Sequence, residues 1–219
     1  KSDWDTRLKI FSSNPKAIIQ ADIPRAMDFI DSALVYIINL KNDTLQAKFN
    51  VYRADACFYS DDYAKAAHYL FKAIDLYQAI QLPGELYPVY NKLAITYQDM
   101  GLLEKSLEAY SQSLNIIQLL LRDNPFDQVL LNYNTRLKNN IGTAYTDLKM
   151  YDKGLAMVQE ALASALKTKD TSLIESSWNN LGNIYKYMGN YPQSIEALNE
   201  SIRIKELSGN KRGIGNSYG

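Results

Sequence analysis

Cysteine occurs once in the 219 residues, at Cys57, and histidine once, at His68. A single cysteine excludes an internal disulfide framework and leaves the redox compartment open. A single histidine excludes histidine-rich metal sites, and no nucleophile or carboxylate stands beside it in a pattern that sequence can place. Charge of one sign is not in excess: 24 Lys and Arg balance 24 Asp and Glu, so no overall field draws the chain to nucleic acid or anionic lipid. Long apolar runs are missing, so no segment reads as a membrane span. H-E-x-x-H, G-x-S-x-G, Walker and C-x-x-C patterns do not occur, so the sequence shows no metal, no cofactor and no catalytic centre. His68 reads as an exposed or packing side chain, and Cys57, on an apolar stripe, as a buried inert thiol. No signal-peptide pattern opens the chain at Lys1-Ser2-Asp3. The compartment stays undecided between an extracytoplasmic sensor region and the cytoplasm.

What is present is periodicity. Ser176–Leu207 reads as two amphipathic helices joined at Met188-Gly189-Asn190. Trp178, Leu181, Ile184-Tyr185 and Met188 share one face of the first, and Tyr191, Ile195, Leu198 and Ile202 share one face of the second. Gly182 lies inside the first helix, where glycine costs about 1 kcal/mol against alanine; close approach of a neighbour is the expected reason. The same stretch recurs. Ala54, Ala94, Gly142 and Gly182 form a small-residue column with steps of 40, 48 and 40, and Cys57, Tyr97, Tyr145 and Tyr185 keep those steps. Ile23, Tyr63, Leu103, Tyr151 and Tyr191 open the second helices at 40, 40, 48 and 40. Ala26, Ala66, Ser106, Gly154 and Ser194 hold that register, as do Ala33, Ala73, Ser113, Ala161 and Ser201. Columns that share one set of intervals define a repeat protein.

Trp178, Leu181, Gly182, Tyr185, Gly189, Tyr191, Ser194 and Ser201 resemble the tetratricopeptide-repeat (TPR) signature, over about residues 22–210. The commonest TPR period is about 34; the period of 40 and the Asn-Asn-Leu-Gly run resemble repeats of the LGN, kinesin-light-chain and peptide-receptor type, and arrays in bacterial signalling regulators. Arg53 and Cys57 stand where that family usually has a leucine and an aromatic. The resemblance implies an all-α fold, a right-handed α-solenoid of stacked antiparallel helix pairs, with first helices lining a concave surface.

On this reading residues 1–219 are one array. An irregular segment 1–21 precedes repeats at 22–42, 43–80, 85–122, 126–169 and 171–208, and a sixth begins at 210–219. Within 1–21, Trp4, Leu8 and Phe11 suit a short amphipathic helix interrupted at Ser12-Ser13-Asn14-Pro15, with a restart near Pro15. Asp22 is the N-cap candidate for a second helix over Ile23–Leu40, and Gln81-Leu82-Pro83-Gly84 reads as a loop. Asn210–Tyr218 repeats the register of Asp170–Trp178, so a sixth first helix is expected to start there and the chain to be part of a longer protein. The step of 48 predicts one added turn on each of two antiparallel helices, a projection over Leu119–Tyr133. Its Leu120, Leu121, Phe126 and Leu130 either close as a satellite core or stand exposed as a knob for a partner or a second copy.

The candidate binding face consists of the non-core positions of the first helices. They are Lys48, Asp55 and Tyr59, then Asn91, Gln98 and Asp99, then Arg136, Asn139, Asn140 and Thr143, and last Asn179, Asn180, Asn183 and Lys186. Asn91, Asn139 and Asn179 recur at 48 and 40. An asparagine amide offers both a donor and an acceptor, matching a peptide bond whatever its side chain. A ladder of them would hold an extended peptide by its backbone; the alternative is that they hydrate the groove or tie neighbouring helices together. TPRs that clamp a C-terminal carboxylate use basic residues where asparagine stands here, and only Arg136 lies near such a position, which speaks against that activity. The expected partner is a protein or peptide segment, and the alternative is self-association through 119–133. RNA binding needs a basic groove, and Asp55, Asp99 and Asp147 among the lysines speak against it.

Overall fold

The computed structural model describes residues 2–207, which form eleven helices. They are α1 (Ser2–Ser13), α2 (Pro15–Ala21), α3 (Ile23–Asn39), α4 (Asp43–Phe58), α5 (Tyr63–Ala79), α6 (Pro83–Asp99), α7 (Leu103–Asp123), α8 (Gln128–Asp147), α9 (Tyr151–Thr168), α10 (Thr171–Tyr187) and α11 (Tyr191–Leu207). Ile23, Tyr63, Leu103, Tyr151 and Tyr191, the expected openings of the second helices, are the first residues of α3, α5, α7, α9 and α11.

One turn geometry recurs with the period. Asp61, Gly101, Lys149 and Gly189 follow the first helices with φ of 58, 73, 59 and 76°, while Lys41, Gln81 and Lys169 follow second helices at 52, 54 and 55°. A left-handed residue there turns the next N–H back onto the last helical turn. Asp62, Leu102, Met150 and Asn190 accordingly donate to the carbonyls of Cys57, Tyr97, Tyr145 and Tyr185 at 2.8–3.0 Å. The following helix is then capped from its own first turn where an acid or amide is available. Asp22, Asn42, Asp62 and Asp170 accept from the N–H three residues on, at 2.9–3.2 Å.

Two local expectations are corrected. Residues 2–21 are not irregular but form α1 and α2, because Trp4, Leu8 and Phe11 find an apolar surface to cover and Pro15 opens α2 in the first-turn position where proline is tolerated. Pro83 and Gly84 are not loop but the start of α6, for the same proline reason. The sixth first helix falls outside the described residues. The step of 48 appears as the expected lengthening: α7 has 21 residues and α8 has 20, against 16–18 in the other helices from α3 onward.

The chain divides into two compact units, Lys1–Ile116 and Ile117–Gly219, with the boundary inside α7. In the first, Leu8, Phe11, Ile19, Ile30, Ile37 and Phe49 gather in one buried core. Arg53 is the misfit there: it pairs with Asp31 at 2.8 Å, while its Nε and Nη1 are buried with no hydrogen-bond partner among the described residues. Cys57 is buried, and burial pushes its thiol pKa up, as expected of an inert thiol. His68 is exposed and meets the Tyr69 ring edge-on at 5.4 Å. In the second unit Val158, Leu162, Leu181, Ile184 and Ala197 form the core.

Helix contact in the second unit depends on missing side chains. A Cβ on Gly142 would stand 2.4 Å from Val158 Cγ2, one on Gly182 2.6 Å from Leu198 Cγ, and one on Gly154 2.9 Å from both Gly142 O and Thr146 Oγ1. Ser194 donates to Gly182 O at 2.8 Å, so the second-helix serine uses that close approach for a hydrogen bond. The column of Gly154 holds Ser106 one repeat earlier, where Oγ is buried without a partner. Alanine at these two equivalent positions should therefore act in opposite directions in urea unfolding. Ser106→Ala should add about 1 kcal/mol by removing an unpaired hydroxyl, and Gly154→Ala should cost about 1–3 kcal/mol because a backbone carbonyl must move.

Candidate protein-binding face

Successive first helices meet at offsets slightly shorter than the repeat, and those offsets decide which side chains stay free. In the first unit Lys92 on α6 reaches Asp55 on α4 at 2.5 Å, 37 residues away. In the second, Asn139 on α8 donates to Ser177 on α10 at 2.8 Å, and Asn132 to Asp170 at 3.1 Å, each across 38 residues.

The first-unit candidates therefore lie as follows. Lys48 is exposed, with its ammonium 6.0 Å from the Tyr52 ring centre. Asp55 does not stand open; it is half-buried in the ion pair with Lys92. Tyr59 borders a small cavity of about 170 Å³ with Phe58, Ile95, Asp55 and Lys92, and burial, then Asp55, push its pKa up. Gln98 accepts from the buried Tyr110 hydroxyl at 3.2 Å, and Asn91 is half-buried. Asp99, at the end of α6, is exposed, with burial first and Asp61 second raising its pKa.

In the second unit one candidate fails. Asn139 is 4% exposed, so it does not offer its amide to a ligand; it ties α8 to α10. The cause is legible in register. Ser177 shares a column with Phe49, Val89 and Leu137, and only there does a small hydroxyl replace a large apolar side chain, leaving room and a partner for the amide. Ser177 in turn donates to Leu173 O at 2.7 Å. Asn91 and Asn179 are half-buried, so the three asparagines are not one row of equivalent, open amides.

The remaining positions form two neighbouring exposed rows. Arg136, Asn140 and Thr143 follow one another at spacings of four and three along α8, with Arg136 and Thr143 exposed and Asn140 half-buried. On α10, Asn179 and Asn180 are half-buried, while Asn183 and Lys186 are exposed. Asn183 donates to Asn179 Oδ1 at 3.1 Å, which fixes both amides on the helix surface. The chemistry offered is that of amides, a hydroxyl and two cations: polar, and suited to main-chain groups and carboxylates. Sequence reading missed Lys92, Ser177 and Asn132. The signal for all three is an offset of 37–38 instead of the column step.

Helix pairs of nearly constant length, locked by recurrent left-handed turns and small-residue contacts, define an α-solenoid repeat fold. Residues 87–118 and 134–207 match two tetratricopeptide-repeat family models, and the chain belongs to the tetratricopeptide-repeat proteins. Among curated proteins it is similar to response regulator aspartate phosphatase E of Bacillus subtilis, 27% identical over 165 residues. That match takes in 74% of this chain and 42% of the relative, so the chain spans less than half of its length. Among solved structures, a signal-transduction ATPase with a tetratricopeptide-repeat sensor from Pyrococcus horikoshii superposes with a TM-score of 0.78 at 19% identity, covering 98% of this chain and 33% of that one. A putative kinesin light chain from Podospora, printed as Podosopora anserina, superposes at 0.73 and 13%, covering 96% of each. These two likenesses are of fold.

The buried amide can be separated from ligand binding by a mutant cycle. Ser177→Ala should cost about 1–3 kcal/mol in urea unfolding, because Asn139 Nδ2 loses its acceptor inside the protein. Adding Asn139→Leu should recover most of that loss, since an apolar pair needs no partner.

Proposed function

We propose that this chain is a non-catalytic docking module that holds a peptide or protein segment along its first helices, as the sensing or partner-docking part of a larger bacterial regulator. The observation that carries this reading is the pair of neighbouring polar rows, Arg136 to Thr143 on α8 and Asn179 to Lys186 on α10, standing exposed above a packed small-residue seam. Such rows recognise an extended segment by its backbone and its acidic groups without needing a deep pocket. The tetratricopeptide-repeat fold and the likeness to a protein with a tetratricopeptide-repeat sensor support it. The likeness to a protein named a phosphatase supplies the competing class. A second reading, self-association through the α7–α8 tip, is favoured by the exposure of Leu119, Phe126 and Val129 at 56, 89 and 72%.

The test uses binders selected from a random peptide library on the wild-type chain. Their affinity should fall about tenfold or more for Arg136→Ala/Asn183→Ala/Lys186→Ala, three exposed positions that leave the core intact, and stay unchanged for Glu196→Ala on α11. Binders indifferent to the triple variant would sink the proposed face. With an aspartyl-phosphorylated receiver domain as probe, phosphate release should stay at the spontaneous rate. Acceleration by the chain would overturn the non-catalytic reading.

A further inference from the structure

The first unit carries an aromatic groove that the polar rows do not use. α2 has seven residues, where the other first helices have 16–20, so α3 is flanked by a short helix and by α1. Between α1 and α3 lies a cavity of about 700 Å³ whose walls include Trp4, Phe11, Ile18 and Phe29. Trp4 stacks on Phe29 at 6.0 Å and on Tyr36 at 5.2 Å, and Phe11 on Phe29 at 4.9 Å, so the aromatic walls hold one another in place. Ile10 at the rim is 62% exposed. Charges of both signs border the groove. Arg7 lies over the Trp4 and Phe29 rings at 4.9 and 5.7 Å, with Arg25, Asp22 and Asp28 nearby. Asp22 is engaged in capping α3.

The second unit carries a shape of the complementary kind. At the tip between α7 and α8, Phe126 is 89% exposed, Val129 72% and Leu119 56%. Half of the expected set, Leu120, Leu121 and Leu130, is half-buried, so the projection is a supported knob and not a loose end. Asp127 fixes its form by accepting from the N–H groups of Val129 and Leu130 at 2.9 and 3.0 Å. Around Phe126 stand Arg122, Asp123 and Asp127.

Resting on the self-association reading, we propose that the occupant of the Trp4–Phe29 groove is the Phe126 tip of a second copy of this chain. The aromatic anchor enters the aromatic-walled cavity, the carboxylates of Asp123 and Asp127 face Arg7 and Arg25, and Arg122 faces Asp28. An exposed aromatic anchor and a receptive pocket ringed by polar groups are the two halves of an interface hot spot. The two surfaces differ, so the contact is head to tail. Each copy keeps one free tip and one free groove, and assembly continues into a ring or an open chain.

Sedimentation velocity over a series of concentrations tests this with the whole chain. Wild type should form dimers and larger species as concentration rises. Phe126→Ser, which keeps the groove, and Trp4→Ala, which keeps the tip, should each stay monomeric. Mixed in equal amounts they should give a one-to-one dimer and nothing larger, because only one intact tip and one intact groove meet. Circular dichroism reports whether Trp4→Ala folds; if it does not, Arg25→Asp takes its place, and Asp123→Arg should restore its contact. Each single variant should weaken association about 30-fold or more. A wild type that remains monomeric at every concentration overturns both this contact and the self-association reading. Assembly that persists in both variants, or a mixture that fails to pair, overturns these surfaces while leaving self-association standing.

Discussion

Backbone approach at one column of small residues is the constraint on which both units depend. Ala54, Ala94, Gly142 and Gly182 are all buried, and in the second unit even a methyl group at the glycines would collide with the partner helix. Helices brought this close bury long apolar faces without large side chains between them. The chain therefore builds its core from alanines, serines and mid-sized aliphatics as much as from aromatics. Aromatic side chains are then left for the unit ends and the edges of the helices, where Trp4, Phe11, Phe29 and Phe49 close the amino-terminal core.

Periodicity made most of the fold legible. A column such as Tyr63 and Tyr151 marks the first residue of a helix because the preceding turn is fixed by hydrogen bonds that recur with it. Asp61 and Lys149 show that glycine is preferred in that turn but not required. What escaped was decided by context beyond the period. Residues 2–21 belong to no full repeat, so nothing in the columns announced α1 and α2; their reason is tertiary, the burial of Leu8, Phe11 and Ile19. Pro83 followed a turn signal into a helix because the first helical position does not need its N–H.

The face was legible by residue type and less so by exposure. Column alignment treats Asn91, Asn139 and Asn179 as equivalent. Physical contact runs two or three residues short of the period, because adjacent first helices are staggered, and Asn139 meets position 177 instead of 179. Asp55 and Lys92 follow the same stagger and neutralise each other. A sequence reader who tests offsets of 37 and 38 beside the column step sees which polar groups answer one another within the chain.

The Asn139–Ser177 pair has a consequence for how near-copies find their places. Hairpins with matching columns are geometrically interchangeable neighbours, and a chain that stacked α8 on the wrong one would still bury hydrocarbon. It would then set the Asn139 amide against Phe49, Val89 or Leu137-type positions, none of which can accept its proton. One desolvated amide thus acts as a key that turns only in the serine's lock, penalising mis-threaded stacks by more than it strengthens the correct one.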